Sequence, residues 1–142
     1  MRNDIVLTFG TFDLFHIGHL RILERASKLG KLIVGVSTDK MNLDKKGRYP
    51  VYNENDRRAI VKSIYCVHDV FFEESLLLKR KYIHEYGAKV LVMGDDWLGK
   101  FDEFKDICVV KYLKRTPMVS TSEVKIAIES SITLEQFNQS RS

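Results

Sequence analysis

The feature that most constrains the fold is a strand–helix–strand unit within the first 36 residues. Residues 5–9 and 32–36 are short apolar runs rich in β-branched side chains, which predicts two buried strands. Between them, apolar side chains recur at helical spacing over residues 18–29, and Gly30 is placed to cap the helix at its C-terminus. Because a crossover of this kind returns the chain to the same end of the sheet, we expect the two strands to be parallel.

The alternation of strands and helices continues along the chain. Further strands are predicted over residues 70–72, 90–93 and 107–113. Further helices are predicted over residues 55–65, 75–86 and 120–130, and a polar loop is predicted over residues 39–53. Apolar strands that alternate with amphipathic helices are typical of a sheet covered on both faces. We therefore expect an α/β, Rossmann-like three-layer fold with a mostly parallel sheet, formed by residues 1–130 as one domain and followed by a polar tail over residues 131–142.

The composition of the 142-residue chain is that of an ordinary globular protein, with 44% apolar and 30% charged residues. Its net charge of +4 comes from basic residues scattered along the sequence, so we do not expect a nucleic-acid-binding surface. No apolar run approaches the ~20 residues of a membrane helix, and the N-terminus has no secretory h-region. We expect a cytoplasmic protein without membrane insertion, in which Cys66 and Cys108 are buried thiols rather than a disulfide.

Polar residues follow the predicted strands at the point where each strand ends. In an open parallel sheet, ligands bind beyond the carboxyl ends of the strands, near the place where the strand order reverses. These positions hold Asp13, His16, Gly18, His19, Ser37, Thr38, Asp39, Gly94, Asp95, Asp96, Trp97, Arg115, Thr116, Ser120 and Thr121. We expect these residues to converge on one edge of the sheet and to form the functional site there.

The segment after the first strand has the features of a phosphate-binding turn. Gly18 has no side chain, so an anion can approach the backbone N–H groups at the start of the helix. His16 and His19 lie three residues apart, near one face of the helix start, where an imidazole can donate a hydrogen bond to a phosphoryl oxygen. The same pair could instead be surface residues or two ligands of a metal, although the i,i+4 spacing of the zinc HExxH motif is absent.

Two later segments each have a structural and a functional interpretation. Residues 120–123 fit a capping box, and the same helix N-terminus, with Arg115 ahead of it, could bind the outer phosphates of a nucleotide. Asp95 and Asp96 are adjacent on a loop and tend to point apart, which favours one ligand-binding Asp beside a capping one over a catalytic dyad. Trp97 either closes the core or lines a pocket for a small substrate.

Three segments together resemble the cytidylyltransferase family of the HxGH nucleotidyltransferase superfamily. Residues 10–19, GTFDLFHIGH, are similar to the family signature GTFDxxHxGH. Residues 92–102 contain VMGDDW and GKFD, which are similar to a stretch of the glycerol-3-phosphate branch. Residues 115–122 resemble the RTxGISTT signature, with Met118 in place of its glycine. The resemblance covers most of residues 4–130.

The resemblance implies that a phosphomonoester oxygen attacks the α-phosphorus of CTP, with Mg²⁺ as cofactor, to give a CDP-alcohol and pyrophosphate. The implied acceptor is a small phosphoalcohol, glycerol 3-phosphate above others, and the implied assembly is a homodimer. The implied catalytic residues are Asp13, His16, His19 and Arg115, with Asp13 also as metal ligand. The implied nucleotide-binding residues are Thr11, Phe12, Gly18, Asp96, Arg115, Thr116, Ser120 and Thr121. The implied acceptor-binding residues are Arg57, Trp97 and either Lys46 or Arg48.

Other functions share part of this pattern. Another phosphoalcohol or a sugar phosphate could be the acceptor, and an adenylyltransferase of the same superfamily would use ATP with the same phosphate chemistry. A non-catalytic nucleotide-binding module and a metal-binding protein are candidates of a different class. The presence of both histidines favours an enzyme over the non-catalytic module.

Overall fold

The computed structural model of the chain describes residues 3–115 and 120–129. Thr116, Met118 and the predicted tail over residues 131–142 lie outside the described residues. The predictions made for them therefore stay predictions, and so does the division into a domain over residues 1–130 and a tail.

A five-stranded sheet forms the middle layer of the fold. Its strands are β1 (Ile5–Gly10), β2 (Lys31–Ser37), β3 (Asp69–Glu73), β4 (Val90–Gly94) and β5 (Val109–Leu113). Their order in the sheet is β3-β2-β1-β4-β5, and each neighbouring pair is parallel. All the predicted strands are present, and the predicted Rossmann-like α/β fold is confirmed.

Helices flank this sheet. They are α1 (Ile17–Ser27), α2 (Asp39–Lys46), α3 (Glu54–Lys62), α4 (Lys79–Glu85) and α5 (Thr121–Glu129). Short 3₁₀ turns occur at Leu76–Leu78, Asp95–Trp97 and Asp102–Asp106. Within the described ranges, no helix is both long enough and apolar enough to cross a membrane.

Each face of the sheet has its own apolar core, because successive residues of β1 point to opposite faces. Val6 packs in one core with Leu23 of α1 and Val61 of α3. Leu7 packs in the other core with Ile83 of α4. These five side chains are essentially inaccessible to solvent. Helices therefore cover both faces, which gives the predicted three layers.

The two cysteines lie on opposite sides of the sheet. Cys66 packs against the core that contains Val6, and Cys108 packs against the core that contains Leu7. Both thiols are free, as predicted, but each is half-buried rather than fully buried. Burial raises the pKa of the Cys66 thiol and of the Cys108 thiol, which keeps them protonated and weakly reactive.

The helix α2 corrects the prediction of a polar loop over residues 39–53. The Thr38 hydroxyl accepts a hydrogen bond from the Met41 N–H at the start of α2, and Gly47 ends the helix with its N–H donating to the Leu43 carbonyl. Most side chains of α2 are polar, so the apolar repeat that identifies an amphipathic helix is missing. The cap residues at both ends were the signal available in the sequence.

Two further predictions about helix ends are wrong. The C-cap of α1 is Lys28, not Gly30. Glycine is required at Gly30 for a different reason: a Cβ there would lie 2.2 Å from the backbone oxygen of Asp4. The predicted helix over residues 75–86 begins as a 3₁₀ turn in which the Ser75 hydroxyl accepts from the Leu77 N–H, and α-helical geometry starts only at α4.

The strand order determines where on the sheet the functional site lies. The chain runs outward from β1 through β2 to β3 on one side, and through β4 to β5 on the other. The order therefore reverses between β1 and β4, and the loops that leave these two strands diverge. A crevice forms between such loops at the carboxyl edge of the sheet, which is where parallel α/β folds bind their ligands.

Candidate active site

A pocket of about 520 Å³ opens at this switch point. Its walls come from the segments that follow β1, β2, β4 and β5, together with the end of α2 and the start of α5. The volume is that of an ordinary small-molecule site. It is formed at the edge of the sheet where the sequence predicted that polar residues would converge.

Most of the predicted site residues line this pocket. They are Thr11, Phe12, Asp13, His16, Gly18, His19, Lys46, Arg48, Asp96, Trp97, Arg115, Ser120 and Thr121. Thr116 lies outside the described residues. Arg57 is described and does not line the pocket.

The two histidines form the N-terminal cap of α1. His16 is the N-cap residue, and its Nδ1 accepts from the Gly18 N–H at 3.0 Å. His19 Nδ1 accepts from the His16 N–H at 3.1 Å, and the two rings stack with centroids 3.9 Å apart. This is a capping box built from two imidazoles, which explains the spacing of three residues. Because Nδ1 accepts in both rings, a neutral ring carries its proton on Nε2.

His19 is held as a neutral group. Burial, together with a smaller contribution from the neighbouring His16, lowers the pKa of His19 from 6.5 to about 3. The His19 ring is also enclosed by Phe12 and Phe15, with centroids 5.4 Å and 5.2 Å away. At neutral pH it therefore presents an N–H donor to the pocket without a positive charge.

The loop between β1 and α1 has a strained backbone. Phe12 and Leu14 have positive φ angles of 56° and 47°, which non-glycine residues rarely adopt. The Asp13 carboxylate between them accepts from three backbone N–H groups: Leu14 at 3.1 Å, Val51 at 2.7 Å and Tyr52 at 2.9 Å. Such strain persists only where neighbouring contacts over-determine the loop, as they do at many functional sites.

Asp13 therefore has a structural task that the sequence did not predict. Its side chain is 5% exposed, and one oxygen already accepts two hydrogen bonds while the other accepts one. One accepting position remains for a ligand or a metal. Over residues 3–115 and 120–129, no group of three or more His, Cys, Asp or Glu side chains is arranged to hold a metal ion.

The structure contradicts the prediction that Arg57 contacts substrate. Its side chain is completely buried, and its Nη1 donates to the carbonyl oxygens of Thr11 at 2.9 Å and Ser37 at 2.8 Å. Its Nε donates to the Tyr52 carbonyl at 2.9 Å, and Nη2 pairs with the Asp39 carboxylate at 2.7 Å. Arg57 thus joins the segments that follow β1 and β2 to the start of α3, and it supports the pocket from behind.

The turn after β4 separates the two adjacent acids. Asp96 lines the pocket, whereas Asp95 is not part of its wall, so the pair does not form a catalytic dyad. Asp96 lies so close to Gly94 that a Cβ there would be 2.6 Å from Asp96 Oδ1, so a larger residue would displace the Asp96 carboxylate. The ring centroids of Trp97 and Phe101 are 5.4 Å apart, and Trp97 also lines the pocket. This tryptophan therefore both packs against the core and forms part of the pocket wall.

The pocket is rich in cations that come from distant parts of the sequence. They are Lys45, Lys46, Arg48, Lys79, Lys114, Arg115 and Lys125. Partial burial lowers the pKa of Lys46, and the positive charges of Lys45, Arg48 and Lys125 lower it further. The basic residues that are scattered along the sequence are thus partly gathered at one site, where their field attracts an anionic ligand.

The N-terminus of α5 is docked onto the β1–α1 loop. The Thr121 hydroxyl donates to the Asp13 carbonyl at 2.9 Å. The Ser120 hydroxyl accepts from the Glu123 N–H at 3.1 Å, which is one half of the predicted capping box. Glu123 Oε2 is buried and has no hydrogen-bond partner among the described residues. The first turn of α5 therefore faces the pocket with its positive helix end.

The sequence analysis missed several pocket residues, among them two charged residues that pair with each other. Glu73, the last residue of β3, and Lys79, the first residue of α4, form a buried ion pair in the pocket wall. Burial raises the pKa of Glu73 and lowers that of Lys79, and each charge opposes the shift of the other. Glu73 follows the predicted strand over residues 70–72 directly, so the rule that selected the other candidates also applies to it.

Residues 7–127 match the family model described as Cytidylyltransferase-like. The chain belongs to the cytidylyltransferase-like family. The match begins in β1 and ends in α5, so it includes all the described segments that line the pocket.

Curated relatives agree over most of the chain. The chain is 47% identical to the glycerol-3-phosphate cytidylyltransferase of Bacillus subtilis (strain 168) over 122 residues, which cover 84% of this chain and 93% of the relative. It is 41% identical to the enzyme of the same name from Staphylococcus aureus (strain NCTC 8325 / PS 47) over 121 residues, which cover 84% and 91%.

A solved structure supports the fold. The lipopolysaccharide core biosynthesis protein from Thermoplasma volcanium GSS1 superposes with a TM-score of 0.66 at 24% identity. The superposition covers 79% of this chain and 95% of that protein. At this level of identity the likeness concerns the architecture alone.

The arrangement is suited to phosphoryl transfer. Catalysis of this reaction depends on positioning and on stabilising charge that builds up on phosphoryl oxygens. A cytidylyltransferase-like pocket with N–H donors from two histidines at a helix start, several cations and a helix N-terminus supplies these elements. The pocket therefore fits direct transfer between two bound phosphate groups.

Proposed function

We propose that this chain is a glycerol-3-phosphate cytidylyltransferase, which converts CTP and glycerol 3-phosphate to CDP-glycerol and pyrophosphate. The observation that carries the proposal is the 47% identity to the Bacillus subtilis enzyme of that name across 93% of its length. The pocket supports it independently, because the described residues that the cytidylyltransferase motifs contribute to the site line it.

In the proposed reaction, an oxygen of the glycerol 3-phosphate phosphate group attacks the α-phosphorus of CTP. The new P–O bond forms in line with the bond to the β-phosphate, which breaks and releases pyrophosphate. No side chain is bonded to phosphorus at any stage. The protein's contribution is then to hold both phosphates in the reacting geometry and to stabilise the added charge on the α-phosphate.

We assign the charge stabilisation to His16 and His19. Each neutral ring carries its proton on Nε2, because Nδ1 accepts a backbone N–H. Two such donors next to the exposed start of α1 can hydrogen-bond the α-phosphate as its charge increases. Arg115 and Lys46, which also line the pocket, would add positive charge.

We assign the binding of CTP to the segments on either side of the switch point. Thr11, Phe12 and Gly18 line the β1 side, and Ser120 and Thr121 present the first turn of α5 to the outer phosphates. The Asp96 carboxylate is an acceptor for hydroxyl or amino groups of the nucleoside. Thr116 remains a predicted nucleotide contact. Trp97 and Lys46 belong to the proposed acceptor side.

We also propose Mg²⁺ as the cofactor, bound together with the triphosphate. Mg²⁺ in nucleotide sites is commonly held by one or two carboxylates plus substrate phosphates rather than by a full set of protein ligands. The remaining accepting position of Asp13 Oδ2 fits this mode. When bound, the ion would neutralise phosphate charge and favour pyrophosphate as a leaving group.

The proposed assembly is a homodimer, and the proposed location is the cytoplasm. Large exposed apolar side chains near the pocket, Tyr49 and Val51 among them, are the kind of surface that a second copy would cover. Sedimentation velocity over a range of protein concentrations tests the dimer. A single species with the mass of one chain at all concentrations would exclude it.

The proposed function is tested by measuring CMP transfer directly. The protein is incubated with Mg²⁺, either CTP or ATP, and a panel of phosphoalcohols, and pyrophosphate release and the CDP-alcohol product are quantified. We expect CDP-glycerol from CTP and glycerol 3-phosphate, with other phosphoalcohols much slower. Turnover with ATP alone would identify an adenylyltransferase instead. Absence of turnover with CTP across the whole panel would exclude the proposal.

A further inference from the structure

Helix α2 brings two lysines to the pocket although little of the helix is buried. Its last turn contains Lys45 and Lys46, and both line the pocket. Of its eight residues, all of which the structure describes, only Met41 and Asn42 are buried. A helix this short is not stable by itself in water, so tertiary contacts must hold it in place. Asp39, at its start, is paired with a buried arginine, and the two buried side chains hold the part that leads to the lysines.

Asn42 belongs to a closed ring of three hydrogen bonds in the pocket wall. Its Nδ2 donates to Ser37 Oγ at 2.8 Å, Ser37 Oγ donates to Thr11 Oγ1 at 3.0 Å, and Thr11 Oγ1 donates to Asn42 Oδ1 at 3.0 Å. The second N–H of Nδ2 donates to the Thr38 carbonyl at 2.8 Å. Because a carbonyl can only accept, this bond determines which way the amide faces. The ring joins α2 to the carboxyl ends of β1 and β2.

This ring is a more exact attachment than an apolar contact. Asn42 and Ser37 are 3% and 4% exposed, so water cannot replace the bonds between them at low cost. A buried polar network of this kind is stable only in the arrangement that satisfies all of its groups. The flexible side chain of Met41, the other buried residue of α2, can pack in several ways. Asn42 is therefore the residue that sets the rotation of α2 about its axis.

The helical repeat carries this orientation forward to Lys46. Residues four apart lie on the same face of an α-helix, one turn from each other. With the Asn42 side chain fixed in the pocket wall, Lys46 faces the pocket one turn further along. A rotation of α2 that turned Lys46 toward solvent would also break the ring.

Lys46 needs such support because its surroundings repel it. Partial burial lowers the pKa of the Lys46 ammonium, and the charges of Lys45, Arg48 and Lys125 lower it further. The charge of Asp13 opposes these effects and is the smallest of them. Movement of the end of α2 into solvent would relieve both the burial and the repulsion between cations. The contacts that prevent this movement must lie elsewhere in the helix.

We infer that Asn42 is a positioning residue, which holds the Lys46 ammonium in the pocket by joining α2 to the ends of β1 and β2. The inference rests on the proposed function, in which Lys46 belongs to the acceptor side and adds positive charge near the reacting phosphates. Asn42 then affects CMP transfer through Lys46 and not by contact with a substrate.

The position of Lys46 is measured independently of activity. Lysine side chains are labelled with ¹³C, the Lys46 signal is assigned with Lys46→Met, and its pKa is determined by NMR titration. We expect a pKa below 10.5 in the wild type and a return toward 10.5 in Asn42→Leu, because the ammonium moves into solvent. Leucine has nearly the shape of asparagine and makes none of its hydrogen bonds. The matched control, Lys40→Met with Asp44→Asn, removes an exposed ion pair from the same helix and should keep the wild-type pKa.

A double-mutant cycle tests whether Asn42 acts through Lys46. We measure kcat/KM for glycerol 3-phosphate at saturating CTP, with Asn42→Leu introduced into the wild type, into Lys46→Met and into Lys125→Met. Asn42→Leu should lower kcat/KM by about 10- to 100-fold in the wild type and in Lys125→Met. In Lys46→Met it should lower kcat/KM by about twofold or less, because the group through which it acts is already gone. The control that lacks the exposed ion pair should stay within about twofold of the wild type.

Two outcomes would overturn the inference. One is the same Lys46 pKa in the wild type and in Asn42→Leu, and the other is an equal effect of Asn42→Leu in Lys46→Met and in Lys125→Met. Thermal melting establishes that the variants are folded, and Ser37→Ala, which opens the ring at one hydroxyl, replaces Asn42→Leu if that variant is not. Turnover only with ATP or with another phosphoalcohol would exclude the proposed function, and the cycle is then measured with the substrates that react. No turnover at all would also exclude the proposed function, and the NMR titration then decides whether Asn42 positions Lys46.

Discussion

His16 and His19 use one ring nitrogen each for structure and keep the other for chemistry. Their Nδ1 atoms accept hydrogen bonds from backbone N–H groups and so cap the N-terminus of α1. The fold therefore sets the orientation of both rings. A serine or glutamate in the same capping role would satisfy the helix equally well. What only an imidazole adds is an N–H donor at neutral pH on the far side of the ring.

The separate roles of the two ring nitrogens predict the effect of removing each histidine. We expect His16→Ala and His19→Ala to lower kcat by about 100- to 1000-fold, because each removes a donor that stabilises charge on the α-phosphate. The Kd for CTP, measured by calorimetry, should change by less than about threefold.

The control separates catalysis from capping. Asn53→Ala removes the N-cap of α3, whose side chain accepts from the Asp56 N–H away from the pocket wall. It should cost about 1 kcal/mol of stability, as the histidine variants also do, but leave kcat unchanged. Equal losses of CTP affinity and kcat in the histidine variants would mean that the rings serve ground-state binding.

The lowered pKa of His19 predicts how stability depends on pH. With a pKa of about 3 in the folded protein and 6.5 in the unfolded chain, the unfolded state binds the extra proton between these values. The free energy of unfolding is therefore unaffected by His19 above pH 6.5, and it decreases as the pH falls from 6.5 toward 3. Between about pH 7 and pH 5, wild type should lose about 2 kcal/mol more than His19→Asn, as measured by urea unfolding. The same loss in both proteins would contradict the assignment.

At the scale of secondary-structure elements, short contacts between loops position the pocket. The hydroxyl of Thr121 ties α5 to the Asp13 carbonyl at 2.9 Å, and the Asp13 carboxylate in turn holds the segment before α3. The elements are thus connected through one strained loop, and each contributes a wall of the site. Loss of one contact should shift an element without unfolding the chain.

The docking of α5 can be tested with a near-isosteric change. We expect Thr121→Val to raise KM for CTP about fivefold, since one hydrogen bond of ~1 kcal/mol no longer holds the helix N-terminus toward the phosphates. Thr121→Ser retains the hydroxyl and should stay within about twofold of wild type. Steady-state kinetics at fixed acceptor concentration measures both. A Thr121→Ser variant as impaired as Thr121→Val would show that the methyl group, not the bond, is what matters.

The elements differ in how well the sequence predicted them. The strands were predicted correctly because a strand buried on both faces must be apolar over its buried length, as residues 32–36 of β2 are. The helix α2 was missed because most of its side chains are polar. Its start and end are marked only by the cap residues Thr38 and Gly47. The 3₁₀ turn before α4 was missed because the leucine run Leu76–Leu78 looks helical in sequence.

At the scale of the whole molecule, the fold concentrates positive charge. Lys46 and Arg48 follow β2 in the chain, whereas Arg115 and Lys125 follow β5, and they meet at one pocket because parallel strands all end at the same edge. A pocket with this field should bind a polyanion more tightly and more quickly than either segment could alone.

The concentrated charge predicts a dependence on salt. Raising the NaCl concentration from about 50 mM to about 500 mM should lower kcat/KM for CTP by about tenfold, mainly through KM, because screening shortens the range of the field. The double variant Lys46→Met with Lys125→Met should show a weaker dependence. Lys62→Met with Lys81→Met removes two cations that are not part of the pocket wall and should behave as wild type. A salt effect of equal size in both double variants would contradict the prediction.

The sequence by itself determined the parallel α/β fold and the HxGH turn that begins α1. Both depend on local patterns: apolar strands buried on two faces, and a spacing of three residues at a helix start. Tertiary structure alone decided that Arg57 is a buried support rather than a substrate contact, and that Glu73 and Lys79 pair in the pocket wall. These outcomes depend on which side chains meet where separate strands end. Long-range contacts of that kind leave no periodic trace in the sequence from which they could be predicted.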